Sequence, residues 1–182
     1  MKGILFTEFL EMVEDTYGLA MMDRVIEGAN LPNGGAYTSV GNYNHRELLK
    51  LAGRLSMETR TPLPQLMETF ADRIFKLFAR RYGHLMAGAG SCFDFLGQIE
   101  SYIHVEVSKL YPDAELPAFT YPEHDESRLV MEYRSPRPMS GFAEGLLRAA
   151  IRHYGEPIAL TMEDLSEGHG TSARFTLIRR PA

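Results

Sequence analysis

Hydrophobic periodicity changes once along this 182-residue chain, from helical to alternating, and that change limits the fold more than any bulk property. Phe6, Phe9, Leu10, Val13 and Tyr17 follow i, i+3, i+4, i+7 spacing, with Glu8, Glu11 and Glu14 opposite and Gly18 as a stop. A short second helix is predicted over Met21 to Glu27, and Leu31-Pro32-Asn33-Gly34-Gly35 reads as a loop. A third helix fits Arg46 to Leu55. Thr61-Pro62-Leu63-Pro64 breaks the chain before a fourth, which carries Leu66, Phe70, Ile74, Leu77 and Phe78. His84 to Gly90 reads as a turn. A fifth helix is predicted from about Cys92 to Tyr111, ending before Pro112, with Phe93, Leu96, Ile99, Ile103, Val107 and Leu110 on its apolar side.

Beyond this point the pattern alternates. Ala118 to Tyr121 is extended, and Arg128 to Ser135 is rich in strand formers. Helical spacing returns from Gly141 to His153, and Ile158 to Met162 and Ala173 to Ile178 read as closing strands. Helices followed by strands that enclose one helix predict an α+β fold. In it, an N-terminal helical part packs on a four-stranded antiparallel sheet with a helix between strands. The length suits one domain over 1–182, and no repeat or linker divides it.

Composition excludes several function classes. The net charge of −5 argues against a general nucleic-acid binder, and the pairs Arg80-Arg81 and Arg179-Arg180 read as solvated element ends. The single cysteine, Cys92, rules out an internal disulfide and a multi-cysteine zinc site, and a helix-start or core place is expected for it. That cysteine usage suits a reducing cytoplasm. No apolar run reaches the ~18 residues of a membrane span, and the run before Glu8 is too short for a signal peptide. A cytoplasmic protein without a membrane partner is expected. Gly88-Ala89-Gly90 fails as a dinucleotide loop because the third glycine position is Phe93. His84, His153 and His169 are too scattered for a metal cluster, and Glu123 and Asp125 read as a solvated turn.

Two features carry chemistry. His104 lies on the fifth helix, with polar Glu100 and Ser108 one turn away and apolar Val107 and Tyr111 beside it. A neutral imidazole there is either a partly buried core histidine or an axial ligand for heme iron. In Tyr133-Arg134-Ser135-Pro136-Arg137, an extended backbone puts Tyr133, Ser135 and Arg137 on one side. Those three donors suit a ligand with carboxylates. The same stretch also reads as an edge strand leaving the sheet, because Pro136 and Pro138 cannot donate to a ladder.

Together these features resemble the H-NOX family, the heme domains related to the sensor of soluble guanylate cyclase. Tyr133-Arg134-Ser135-Pro136-Arg137 is similar to its Tyr-x-Ser-x-Arg propionate clamp, and Ile103-His104-Val105-Glu106-Val107 to its proximal-histidine segment. Lys109-Leu110-Tyr111-Pro112, Leu116-Pro117, Met1-Lys2-Gly3 and Ala143-Glu144-Gly145-Leu146 extend the likeness over essentially the whole chain. The resemblance implies heme b, buried between the helical part and the sheet. It makes His104 the proximal iron ligand, Tyr133, Ser135 and Arg137 the propionate clamp, and Pro117 the residue that presses on the porphyrin.

By the same resemblance, Leu5, Phe9, Ile74, Phe78, Phe142 and Leu146 wall the distal side. All are apolar, and Phe142 stands where oxygen-binding members place a tyrosine. Without a donor, iron-bound oxygen loses roughly 1–3 kcal/mol, or about one to two decades in affinity. The implied signal is therefore nitric oxide. Carbon monoxide also binds, and oxygen binds weakly or not at all. The resemblance implies a relay by release of the proximal histidine from iron, with the signal passed to a separate protein, usually a histidine kinase or a cyclic-di-GMP enzyme. Glu167 to Ser172 holds none of the cysteines that give many relatives a zinc or thiol switch, so neither is expected. A heme enzyme of gas or peroxide chemistry is the competing reading, disfavoured by distal positions that offer no acid or base. A heme-free interaction module is the other, and the retained His104 and clamp argue against it.

Overall fold

Glycine and proline punctuate the N-terminal helices. Helix α1 (Ile4–Tyr17) buries Phe6, Phe9 and Val13 completely, as the spacing predicts. Gly18, at φ +84°, both ends α1 and starts α2 (Leu19–Ala29), so α2 is longer than Met21 to Glu27. Asn44 caps α3 (His45–Thr59) by accepting the Arg46 N–H at 3.0 Å, and left-handed Arg60 ends it. Helix α4 (Leu63–Arg81) begins inside the Thr61-to-Pro64 break, because Pro64 falls in a first turn where its missing N–H removes no bond.

This computed structural model describes residues 1–180. The chain divides into two compact units, residues 1–74 and the remainder from Phe75. In the first unit the Phe9 and Phe70 rings meet edge to face at 5.2 Å. Arg73 spans the acids of α1, reaching Glu8 at 3.1 Å, Glu11 at 3.4 Å and Asp15 at 2.7 Å. Gly3 permits the close approach of the 38–41 segment: a Cβ there would sit 1.9 Å from the Thr38 carbonyl oxygen.

The second unit is built on the sheet. Strands β1 (Ala118–His124), β2 (Arg128–Arg134), β3 (Ile158–Asp164) and β4 (Ser172–Arg179) pair antiparallel in the order β1-β2-β4-β3. The period of two is explicit: Leu129, Met131 and Tyr133 face Leu177, Phe175 and Ala173 across the β2–β4 pair, and all six are buried. Burying side chains such as Phe175 and Leu177 stabilises the fold by roughly 1.5–3 kcal/mol each. Helix α8 (Ser140–Tyr154) adds Ala143, Leu147 and Ala150 to the same core. Edge strand β1 carries Pro122 at an irregularity between Thr120 and Glu123, where no ladder bond is asked of it. Glu123 thus lies in a strand rather than in the predicted turn, and it accepts from Arg128 Nε at 2.9 Å.

The predicted fifth helix is interrupted. After a one-turn helix α5 (Gly83–Met86), the chain forms α6 (Cys92–Gly97), a π-helical turn (Ile99–Ile103) and α7 (His104–Leu110). The Gln98 carbonyl accepts from Tyr102 at 2.9 Å and from Ile103 at 3.1 Å, and the His104 N–H reaches back to Ile99. The apolar spacing of three and four residues tolerates this extra residue, so it conceals the break. Leu110, expected on the buried side, is exposed.

Candidate functional site

His104 heads α7 directly after the π turn, with its side chain 16% exposed. Nδ1 lies 3.2 Å from Glu100 Oε2. Burial holds the imidazole below its ordinary value, against the opposing pull of Glu100. The ring is therefore neutral near pH 7. A carboxylate only accepts, so Nδ1 carries the proton and Nε2 keeps its lone pair. That is the form that ligates a metal. The same Glu100 oxygen also accepts the Phe119 N–H at 2.9 Å. From sequence Glu100 reads only as a polar neighbour; its place four residues before His104 was the available signal.

A row of aromatic rings links His104 to the predicted clamp. His104 and Phe119 lie 5.9 Å apart between centroids, Phe119 and Tyr133 5.6 Å, and Tyr133 and Phe175 6.3 Å. Tyr133 is 2% exposed, and burial raises its phenol while Ser135 and the Arg137 charge act against that rise.

The structure corrects the expected geometry of the clamp. Strand β2 ends at Arg134, so Ser135 and Arg137 do not share a face of a strand with Tyr133. Pro136 removes the donor that would continue the ladder. A turn gathers the residues instead: the Arg137 N–H donates to Ser135 Oγ at 3.1 Å, and the Ser135 N–H to the Thr171 carbonyl at 2.9 Å. Arg137 is 9% exposed. Its Nη1 donates to the Glu115 carbonyl at 2.6 Å, and its Nη2 pairs with the Glu115 carboxylate, which is 76% exposed. Nothing in the sequence pattern marked Glu115. Pro117 is half-buried just before β1.

The remaining predicted residues lie on α1, α4 and α8. Phe9 and Ile74 are fully buried, and Leu5 is half-buried on α1. Phe142 and Leu146 are half-buried one turn apart on α8, and Phe78 on α4 is 36% exposed with its ring 6.0 Å from Tyr82. Cys92 is both a helix start and a core residue. Burial, helped by Glu156, pushes its thiol up to about 12 although Arg179 opposes the rise, so it is inert at neutral pH. Glu156 accepts the Cys92 N–H at 2.6 Å and pairs with Arg179 at 2.8 Å, a capping role not evident from sequence. A surface recess of about 640 Å³ lies beside Leu116, Ala118 and Thr171, and of the predicted residues only Ser135 lines it. Among the described residues, no group of three or more His, Cys, Asp or Glu is placed to hold a metal ion, and no helix is long and apolar enough to cross a membrane.

The donor set fits heme. It offers one neutral imidazole with a free Nε2 and a buried guanidinium that already holds a carboxylate, with a phenol and a hydroxyl beside it.

Comparison with known proteins is consistent with this chemistry. Residues 2–162 match the family model described as Haem-NO-binding. The Fe(II) unliganded H-NOX protein from K. algicida is 38% identical, with 100% of this chain and 98% of that one covered at a TM-score of 0.94. The IWP-051-bound H-NOX from Shewanella woodyi, in its Fe(II)CO ligation state, is 35% identical, covering 100% and 95% at a TM-score of 0.84. An H-NOX protein from S. oneidensis shares the fold at 23% identity and a TM-score of 0.88, with both chains covered completely. A search of curated proteins finds no match.

Proposed function

We propose that this chain, which belongs to the H-NOX family and is accordingly a heme b gas sensor rather than an enzyme, reads nitric oxide and reports it through His104 to a separate signalling protein. The observation that carries this reading is the buried neutral His104, oriented by Glu100 so that Nε2 is free. Heme, when bound, would supply a ferrous iron able to take a diatomic gas. His104 would hold that iron through Nε2. Tyr133, Ser135 and Arg137 donate hydrogen bonds to the propionates, Arg137 with two parallel N–H groups. Pro117, just before β1, is the residue proposed to press on the porphyrin face.

Gas preference follows from side-chain chemistry. Leu5, Phe9, Ile74, Phe78, Phe142 and Leu146, proposed for the gas side, include no hydrogen-bond donor. Oxygen needs one, whereas nitric oxide does not, and the family's description as Haem-NO-binding supports the same choice. Carbon monoxide is a second expected ligand, as the S. woodyi relative's Fe(II)CO state supports. The proposed relay is the release of His104. It heads α7 after a π turn, a backbone form that recurs at functional positions, and freeing it removes the restraint on that helix. The partner proposed is a histidine kinase or a cyclic-di-GMP enzyme in the cytoplasm. The family match crosses both units, which supports residues 1–182 acting as one heme domain.

The test is spectroscopic. The ferrous heme-loaded protein is expected to form a nitrosyl spectrum with nitric oxide and no stable oxygen complex in air. A persistent oxygen complex would overturn the gas assignment. His104→Gly should lose native ligation and regain it with added imidazole; an unchanged spectrum would show that another residue is the ligand.

A further inference from the structure

We infer that Glu100 is a positioning residue for the axial imidazole, tying the His104 ring to strand β1 through one carboxylate oxygen. The inference rests on the reading of His104 as the heme ligand. Oε2 of Glu100 takes the Nδ1–H of His104 at 3.2 Å and the backbone N–H of Phe119 at 2.9 Å. An ordinary i,i+4 pair at a surface swings freely and contributes little. Here the carboxylate has a second anchor on the backbone. β1 is an edge strand, and the Phe119 N–H is one of the donors that an edge leaves open. Glu100 closes that donor and, with the same atom, sets the rotation of the imidazole. Tyr121 holds the neighbouring part of β1 to α6 by donating its hydroxyl to the Leu96 carbonyl at 2.9 Å.

Two consequences follow. An anionic acceptor on Nδ1–H increases the electron donation available at Nε2, so Glu100 strengthens the bond that His104 makes to iron. It also couples the ring to the chain immediately after Pro117. When the ring turns, the shared oxygen cannot keep both bonds at their present lengths, so movement of His104 is felt at Phe119. Glu100 therefore sets both how firmly the ligand is held and where its release is first transmitted.

The test uses the full heme-loaded chain as wild type, Glu100→Gln and Glu100→Ala, with His104→Gly as reference. The wild-type ferrous protein should show an iron–histidine stretching band in resonance Raman that His104→Gly loses. Its absence in the wild type would refute the ligand assignment, which is a different failure from that of Glu100. In Glu100→Ala the band should move to lower frequency, the reduction potential should rise, and heme should be held about 10–100-fold less tightly. Glu100→Gln keeps an acceptor oxygen without the charge and should fall between. A purely structural role would leave the band and the potential where they are, so wild-type values in Glu100→Ala would overturn the inference. If Glu100→Ala takes up no heme, Glu100→Gln decides: a shifted band supports the inference and a wild-type band overturns it.

Discussion

Replacing Arg137 with Met separates a structural staple from a ligand clamp. Methionine keeps most of the apolar stem and removes five donors. The lost bond to the Glu115 carbonyl, 2.6 Å long, is charge-assisted and made by a side chain only 11% exposed. Such a bond is worth roughly 1.5–3 kcal/mol. The pairing with the Glu115 carboxylate adds at most about 1 kcal/mol, because that partner is 76% exposed and well solvated. A total of about 1.5–4 kcal/mol corresponds to a fall in melting temperature of about 3–16 °C for a chain of this size. If Arg137 also holds a propionate, one further charge-assisted contact disappears and heme should leave about 10–100-fold faster. Transfer of heme to a scavenging apoprotein, followed at the Soret band, measures that rate. Glu115→Gln is the control: it removes the ion pair and leaves the guanidinium, so melting should change by under about 1 kcal/mol and heme retention should not change. A lowered melting temperature in Arg137→Met with a wild-type heme-transfer rate would refute the clamp and leave Arg137 as a staple for the 111–117 segment.

Phe142→Tyr places a hydroxyl on α8 and should raise oxygen affinity by about one to two decades, read from the air-exposed ferrous spectrum; no gain would show that position 142 does not face the gas. Gly3→Ala forces a Cβ to within 1.9 Å of the Thr38 carbonyl oxygen and should cost roughly 1–3 kcal/mol in thermal denaturation, whereas wild-type melting would show that the N-terminal closure yields freely. In the heme-free chain His104 titrates lower when folded than its ordinary value of 6.5, so the unfolded chain takes up its proton first as pH falls. The stability this contributes is complete above about 6.5 and is lost below it. Melting temperature should therefore drop from pH 7.5 to 5.5, and His104→Gln should flatten the drop; equal slopes would place the acid sensitivity elsewhere.

Local chemistry made much of this protein legible. Helical and alternating periods located α1, α3, α4, α8 and four strands within a few residues, because burial on one face leaves its period in the sequence. Gly18, Pro62 and Pro64 marked boundaries for reasons intrinsic to their backbones. His104, Tyr133, Ser135 and Arg137 were visible as chemistry-bearing types, and the family resemblance assigned them roles. The break before His104 was not visible, since a π turn changes which carbonyl an N–H reaches without disturbing apolar spacing. The clamp's turn was likewise concealed: period two describes a strand, and β2 ends at Arg134, between the clamp's first and second donors. Glu100 was marked only by its place four residues before His104, and Glu115 and Glu156 stood among 24 acidic residues with nothing to distinguish them. Their partners, Phe119, Arg137 and Cys92, lie 19, 22 and 64 residues away. The chain alone determined its periodicity, its punctuation and its inventory of ligand-capable groups. Which carboxylate meets which donor was decided only when the tertiary fold brought distant backbone and side chains within hydrogen-bond range.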